Sequence, residues 1–133
     1  MNNFDLKIVT LDGLIYDGEV SSVVARTTVG DVCILKNHSD YVGAIEIGKV
    51  KIKTEKEVRL GACAGGFLSV SGNKVRIVAT TFEFDDEIDH DRALKAKEKA
   101  EETIARKVSE KELKMAELKL KKALLRLEIS SRK

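Results

Sequence analysis

Hydrophobic and polar residues alternate, or gather in short apolar runs, through the first part of the chain. The run Lys49-Val50-Lys51-Ile52-Lys53 alternates at every position, which is the period of a strand with one wet face. Turn-forming Gly, Asn and Asp separate the runs. The strands that this pattern predicts lie at 6–10, 15–20, 22–26, 32–35, 41–47, 49–54, 58–60, 66–70 and 74–79. Short strands without a helical period between them predict an antiparallel sandwich or barrel.

The pattern changes at an acidic run over residues 83–89, which we interpret as a linker. Beyond it the chain is rich in Ala, Leu, Lys and Glu, all of which favour helices. We therefore expect two domains, over residues 1–84 and 85–133. The predicted fold class is α+β, with an N-terminal antiparallel β-sandwich followed by a C-terminal α-helical hairpin.

Two capping signals divide the second domain into helices. Asp89 is a candidate N-cap, which places a first helix at about 89–107. Ser109 begins a Ser-x-x-Glu capping box, which places a second helix at about 110–130. Two helices joined by a short connection fold back on each other as a hairpin.

The second predicted helix is apolar on two sides, whereas the first has only a narrow, mostly alanine seam. One side of the second helix carries Leu113, Ala116, Leu120, Ala123, Leu124 and Leu127, and the other carries Met115, Leu118, Leu125 and Ile129. A hairpin covers only one side of a helix. Each large side chain left in water forgoes about 1.5–3 kcal/mol of the stabilisation that burial would give. The other side therefore requires the sandwich, a partner protein, or both in turn.

Composition excludes several classes of function. No stretch reaches the about 20 apolar residues that span a bilayer, and the N-terminus lacks the basic and apolar segments of a secretory signal. The two histidines have no ligand partners at metal-site spacing, and no P-loop or nucleophile elbow is present. We expect no catalytic residue and no metal. Cys33 and Cys63 lie in apolar strand-like runs, which indicates two buried thiols.

The net charge of +2 conceals a basic C-terminal end. From Arg106 onward the chain has 10 Lys and Arg but only four Glu, which suits an acidic partner, a phosphate, a nucleic acid or simply solvent. Residues 85–133 contain no Phe, Tyr or Trp on which bases could stack. We therefore expect no nucleic-acid partner.

The start of the first helix has the components of a nucleotide site without a P-loop. Glu83 and Asp89 can accept hydrogen bonds, Ala93 leaves room for a flat ring, and Arg92 offers a planar fork to phosphate. A closed hairpin would bring further cations from the second helix to the same place, namely Lys122 and Arg126. From the residues alone, the favoured interpretation of Asp89 and Arg92 is a helix cap with a local salt bridge rather than a nucleotide site.

Several motifs together resemble one family. The segment Gly13-Leu14-Ile15-Tyr16-Asp17-Gly18-Glu19 is similar to its G-x-x-[YF]-x-G-x element. Residues 30–38, Gly-Asp-Val-Cys-Ile-Leu-Lys-Asn-His, are similar to G-E-x-G-I-L-P-N-H, with Asp for Glu, Cys for the second Gly and Lys for Pro. Ile88-Asp89-x-x-Arg92-Ala93 matches I/L-D-x-x-R-A in full. Over nearly its whole length the chain resembles the epsilon subunits of bacterial F-type ATP synthases.

The resemblance implies a non-catalytic, regulatory subunit that supports ATP synthesis driven by an ion gradient. The sandwich would contact the gamma subunit and the c subunits of the rotor ring, and the helical arm would reach the alpha and beta catalytic subunits when extended, inhibiting ATP hydrolysis. The protein would be peripheral, at the cytoplasmic face of the bacterial cell membrane, touching the membrane only through the complex. Partner contacts are expected along the loop 31–39, at Asp31, Lys36, Asn37, His38 and Ser39.

The resemblance also implies a regulatory ligand, since ATP binds the folded hairpin in some family members. The matching residues here are Glu83, Ile88, Asp89, Arg92, Ala93, Lys122 and Arg126. Lys99 and Lys122 stand where some relatives carry arginine, and lysine lacks the planar fork, which would lower the affinity. No obligatory cofactor is expected. A permanently docked arm, acting as a structural clamp, is the alternative to a regulatory one.

Overall fold

The computed structural model describes residues 2–106 and 108–130 and divides the chain into two compact units, Met1–Phe84 and Asp85–Lys133. The first unit is all β and the second is helical. The strands are β1 Phe4–Thr10, β2 Gly13–Val20, β3 Ser22–Thr27, β4 Gly30–Ile34, β5 Tyr41–Lys53, β6 Val58–Ser71, β7 Lys74–Ala79 and β8 Phe82–Phe84. After a short 3-10 turn at Asp85–Glu87 come the helices, α1 His90–Ala105 and α2 Glu110–Ser130.

The predicted fold class, a β-sandwich followed by two helices, is confirmed. The strands follow the order β2-β1-β7-β6-β5-β3-β4, with β8 also pairing with β6. Every pair is antiparallel except β1 and β7, which are parallel. The exception arises because no hairpin turn joins these two strands, so chain direction is not imposed on them by a local connection.

The predicted strand boundaries fail in the middle of the unit. β5 and β6 are single long strands where the pattern predicted two pieces each, because their ladder continues through Gly48, which pairs with Cys63. β8 occupies residues assigned to the linker, since Phe82–Phe84 pairs with Gly61–Cys63 of β6. The ring of Phe82 fits there because Gly61 has no side chain, and an added Cβ would collide with it.

The sandwich core consists of large side chains from almost every strand. Alternation on β7 buries Val75, Ile77 and Ala79 and exposes the residues between them. The side chains with no exposed surface include Leu6, Ile8, Ile34, Ile52, Leu68 and Ile77. Cys63 is buried with them, but Cys33 is exposed, so the expectation of two buried thiols is wrong for Cys33. The two-residue period places Cys33 on the outer face of β4, an edge strand.

Both helices of the helical unit begin where the caps predict. The carboxylate of Asp89 accepts a hydrogen bond from the Arg92 backbone N–H at 3.1 Å, and Ser109 Oγ accepts one from the Glu112 N–H at 3.3 Å. α1 ends at Ala105 rather than 107, and residue 107 lies outside the described residues. The side chains buried in the middle of the hairpin are mainly small, namely Ala93, Ala100, Ala116 and Ala123. Among the described residues, no helix has both the length and the hydrophobicity to cross a membrane.

Candidate functional site: a cationic cleft along the hairpin

A cleft of about 420 Å³ runs along one side of the helical hairpin. Its floor is formed by the small side chains of Ala96, Ala100 and Ala116 together with Met115. Its polar lining is strongly cationic, with Lys99, Arg106, Lys119, Lys122 and Arg126. Glu112 is the single carboxylate among the lining residues of the described hairpin.

Helical spacing brings these residues together. Positions 96, 99 and 103 of α1, and positions 112, 115, 119, 122 and 126 of α2, recur at three- and four-residue intervals, and Arg106 is the C-cap residue that follows α1. Side chains at those intervals lie on one face of a helix. Because the alanine seam allows the two helices to approach closely, their cationic faces form the two walls of one cleft.

Thr103 fixes part of the cleft near the connection between the helices. Its hydroxyl donates to the Lys99 carbonyl at 3.0 Å and accepts from Arg106 Nη2 at 3.4 Å. The guanidinium of Arg106 is thereby directed along the same side of α1. Like charges four residues apart on a helix, such as Lys122 and Arg126, repel by a few tenths of a kcal/mol. The concentration of Lys and Arg side chains along the cleft favours phosphate or carboxylate ligands.

Only part of the site predicted from sequence lines this cleft. Lys122 and Arg126 do, as does Lys99. Ile88 and Ala93 are buried instead, and one carboxylate oxygen of Asp89 is engaged as the helix cap.

The remaining two predicted residues are not among those that line the cleft. Arg92 is exposed and precedes Ala96 by four residues, on the same stripe of α1 that lines the cleft. Glu83 belongs to β8 of the sandwich unit, where it pairs with Ala62.

Sequence reasoning missed Thr103, Arg106, Glu112, Met115 and Lys119 as lining residues. The signal that could have identified Lys119 was its seven-residue interval to Arg126 on α2, which matches the interval between Arg92 and Lys99 on α1, whereas Arg106 lies beyond the end of α1. Such intervals place charges on one helix face. Whether two such faces meet depends on the rotation of each helix, which the intervals do not fix.

The five residues predicted to contact partners do not form one loop. Asp31 lies within β4, where its carboxylate accepts a hydrogen bond from Arg26 Nε at 3.0 Å. Lys36, Asn37, His38 and Ser39 lie in the connection that follows β4. The expectation of a loop over 31–39 is therefore wrong for its first part, because residues 30–34 pair with β3.

The connection after β4 is held by Asn73 of the β6–β7 turn. The Asn37 backbone N–H donates to Asn73 Oδ1 at 2.6 Å, and Asn73 Nδ2 donates to Asn37 Oδ1 at 3.1 Å. Asn37 has a positive φ of 66°, which asparagine tolerates better than most residues. His38 packs edge-on against Tyr41, with ring centroids 6.1 Å apart. The loop therefore presents a defined surface.

A β-sandwich unit followed by an antiparallel helical hairpin defines the structural class of this protein. Two family models match it in sequence order: "ATP synthase, Delta/Epsilon chain, beta-sandwich domain" over residues 3–85 and "ATP synthase, Delta/Epsilon chain, long alpha-helix domain" over residues 86–131. The chain belongs to this family, as an epsilon chain of ATP synthase.

Curated relatives match over the full length. The ATP synthase epsilon chain of Exiguobacterium sp. is 39% identical over 135 residues, covering 100% of this chain and 99% of its own. That of Bacillus velezensis is 36% identical over 130 residues, covering 98% of each.

Solved structures share the fold. A chain of the Euglena gracilis mitochondrial ATP synthase (OSCP/F1/c-ring) matches 97% of this chain and 81% of its own length, with a TM-score of 0.84 and 23% identity. A chain of the Tetrahymena thermophila mitochondrial ATP synthase central stalk and c-ring matches 95% of each, with a TM-score of 0.69 and 16% identity.

Proposed function

We propose that this chain is a non-catalytic subunit of the central stalk of an F-type ATP synthase. In this role the sandwich links the gamma subunit to the c subunits of the rotor ring, and the hairpin regulates ATP hydrolysis. Family membership over the whole chain supports the assignment, as does the central-stalk origin of one structure with the same fold. The surface proposed for the partners is the loop of Lys36, Asn37, His38 and Ser39, with Asp31 as a further contact at the start of β4.

ATP is the proposed regulatory ligand of the hairpin. The observation that carries this proposal is the meeting of Lys99 of α1 with Lys122 and Arg126 of α2 in one cleft. Cations from both helices can contact the same phosphate chain only when the helices lie side by side. ATP would therefore stabilise the closed hairpin, because a ligand that binds one state shifts the equilibrium toward it.

The remaining predicted ligands fit this proposal in different ways. Arg92 continues the cationic stripe of α1 beyond Ala96, so it would extend the phosphate contacts. Asp89 would contribute through the cap at the start of α1, whereas Ile88 and Ala93 are buried and would support the helices from within.

Calorimetric titration of the full-length isolated subunit with ATP tests the ligand. Arg126→Ala removes a planar fork from the cleft and should weaken binding about tenfold to hundredfold, which is the loss expected for a charge-assisted hydrogen bond. Lys121→Ala is the matched control, since it removes one cation from α2 at an exposed position outside the cleft. No heat at millimolar ATP, or equal affinities for the two variants, would overturn the proposal.

Removal of residues 86–133 within the assembled synthase tests the regulatory role. We expect ATP hydrolysis to rise while the complex still assembles, because the sandwich has its own core. A complex that loses its stalk subunits after this deletion would favour the alternative, in which the hairpin is a permanent structural clamp.

A further inference from the structure

The outer ends of the two helices are joined by a hydrogen bond between side chains. His90 is the first residue of α1, and Ser130 is the last residue of α2. The ring Nδ1 of His90 lies 2.8 Å from Ser130 Oγ, across 40 positions of sequence. Because the helices are antiparallel, this bond lies at the end of the hairpin opposite their covalent connection.

The partners of Ser130 determine the direction of the bond. Ser130 Oγ also lies 3.2 Å from the Leu127 carbonyl oxygen, to which it donates. A hydroxyl has one proton and two lone pairs, so with the proton on Leu127 the oxygen accepts from His90. From this pattern of partners we assign the proton of the neutral ring to Nδ1 of His90, which leaves Nε2 unprotonated.

The bond joins a buried hydroxyl to an exposed ring. The Ser130 side chain is buried, as is its neighbour Ile129, whereas His90 is exposed. When the bond breaks, Ser130 Oγ keeps its hydrogen bond to the Leu127 carbonyl, so the loss is that of one ordinary hydrogen bond. The His90–Ser130 hydrogen bond also adjoins the cap of α1, because Asp89 precedes His90 and accepts a hydrogen bond from the Arg92 N–H.

We propose that His90 and Ser130 form a clasp that closes the open end of the hairpin and thereby positions the two cationic walls of the cleft. The cleft lies between two tethers, the clasp at one end and the covalent connection at the other. His90 and Ser130 need not touch the ligand. They are positioning residues, and the effect on ATP rests on the proposed function, whereas the clasp itself does not.

A double-mutant cycle on the full-length subunit without nucleotide tests the clasp. Hydrogen exchange of the amides at the outer ends of α1 and α2 should accelerate about threefold to tenfold in His90→Ala and in Ser130→Ala, the range for one net hydrogen bond. The double variant should be no faster than either single one. His90→Asn, which keeps an N–H donor near the position of Nδ1, should restore protection. Additive effects of the two substitutions on amide exchange, or no effect of either, would overturn the proposed clasp.

Nitrogen NMR of the His90 ring provides a readout that packing alone would not change. At a pH where the ring is neutral, Nδ1 should be the protonated nitrogen, and Ser130→Ala should abolish this preference. An Nε2-protonated ring in the unmodified protein would contradict the assigned direction of the bond.

ATP titration of the same variants tests the positioning role. Affinity should fall in His90→Ala and Ser130→Ala and return in His90→Asn. Unchanged affinity in variants whose helix ends exchange faster would overturn positioning. Absence of ATP binding to the unmodified subunit would overturn the proposed ligand instead, and a positive cycle without nucleotide would still establish the clasp.

Discussion

The sandwich and the hairpin are built from the same chain but bury very different side chains. In the sandwich, several Leu, Ile and Val side chains from different strands have no exposed surface. In the hairpin, the interior is lined mainly by alanine, and large residues remain in water, with Leu118 and Met115 each 50% exposed. Apolar burial stabilises by about 25 cal/mol per Å², so a seam of alanines contributes far less than a core of branched side chains.

This difference in packing predicts that the two units resist conformational change to different degrees. A unit with a close-packed core holds one arrangement, because each large-to-small change or shift leaves a void. Helices that meet through small side chains give up little when they separate, and their exposed leucines and methionine remain available to other surfaces. Separating the two helices should therefore cost less free energy than opening the sandwich core.

The largest effect should come from the sandwich core. Leu68→Ala removes a side chain with no exposed surface and should lower the free energy of unfolding by about 2–5 kcal/mol, measured by denaturant titration. Leu118→Ala is the matched control in the hairpin, where half the side chain is already in water, and it should cost under about 0.5 kcal/mol. Equal losses would refute the contrast between the units.

A smaller loss of stability should follow from placing a larger side chain in the alanine seam. Ala100→Leu forces a larger side chain between the helices, which should destabilise the hairpin by about 1–3 kcal/mol. Amide exchange should accelerate throughout α1 and α2 while the strands keep their protection. The exposed Ala105→Leu change at the end of α1 is the control, and it should leave exchange in the hairpin nearly unchanged.

Loss of one helix cap should be weaker again. Asp89→Ala leaves the Arg92 N–H without its side-chain acceptor and should cost about 1 kcal/mol, seen as fraying of the first turn of α1. Asp89→Asn preserves an acceptor oxygen and should restore most of the protection. An undisturbed first turn in Asp89→Ala would show that the cap is not needed.

The smallest perturbation uses the two thiols as reporters. Burial raises the pKa of Cys63 to about 11, so almost none of it is thiolate at pH 8, whereas Cys33 is exposed. Iodoacetamide should modify Cys33 alone in the native protein, as mass spectrometry can show. Cys63 should stay protected in Ala100→Leu and react in Leu68→Ala under partly unfolding conditions. Rapid labelling of Cys63 in the native protein would contradict its place in the core.

The two units also differ in how far sequence predicted them. β7 and both helix caps follow from local pattern, and the structure confirms them. The continuous strands β5 and β6 do not, because a glycine inside a ladder reads locally as a break. Of the predicted nucleotide residues, the cleft contains Lys122 and Arg126, while Arg106 and Lys119 were missed because they lie outside the recognised motif.

What the sequence determined by itself is the periodicity of each segment, since a period of two or of 3.6 residues follows from backbone geometry. Those periods predicted a sandwich and two helices, the second of which has apolar residues on two sides. Tertiary structure decided which distant residues meet: Asn37 with Asn73, His90 with Ser130, and the cations of α1 with those of α2. Such pairings depend on how whole elements rotate and pack, and no local pattern specifies that rotation.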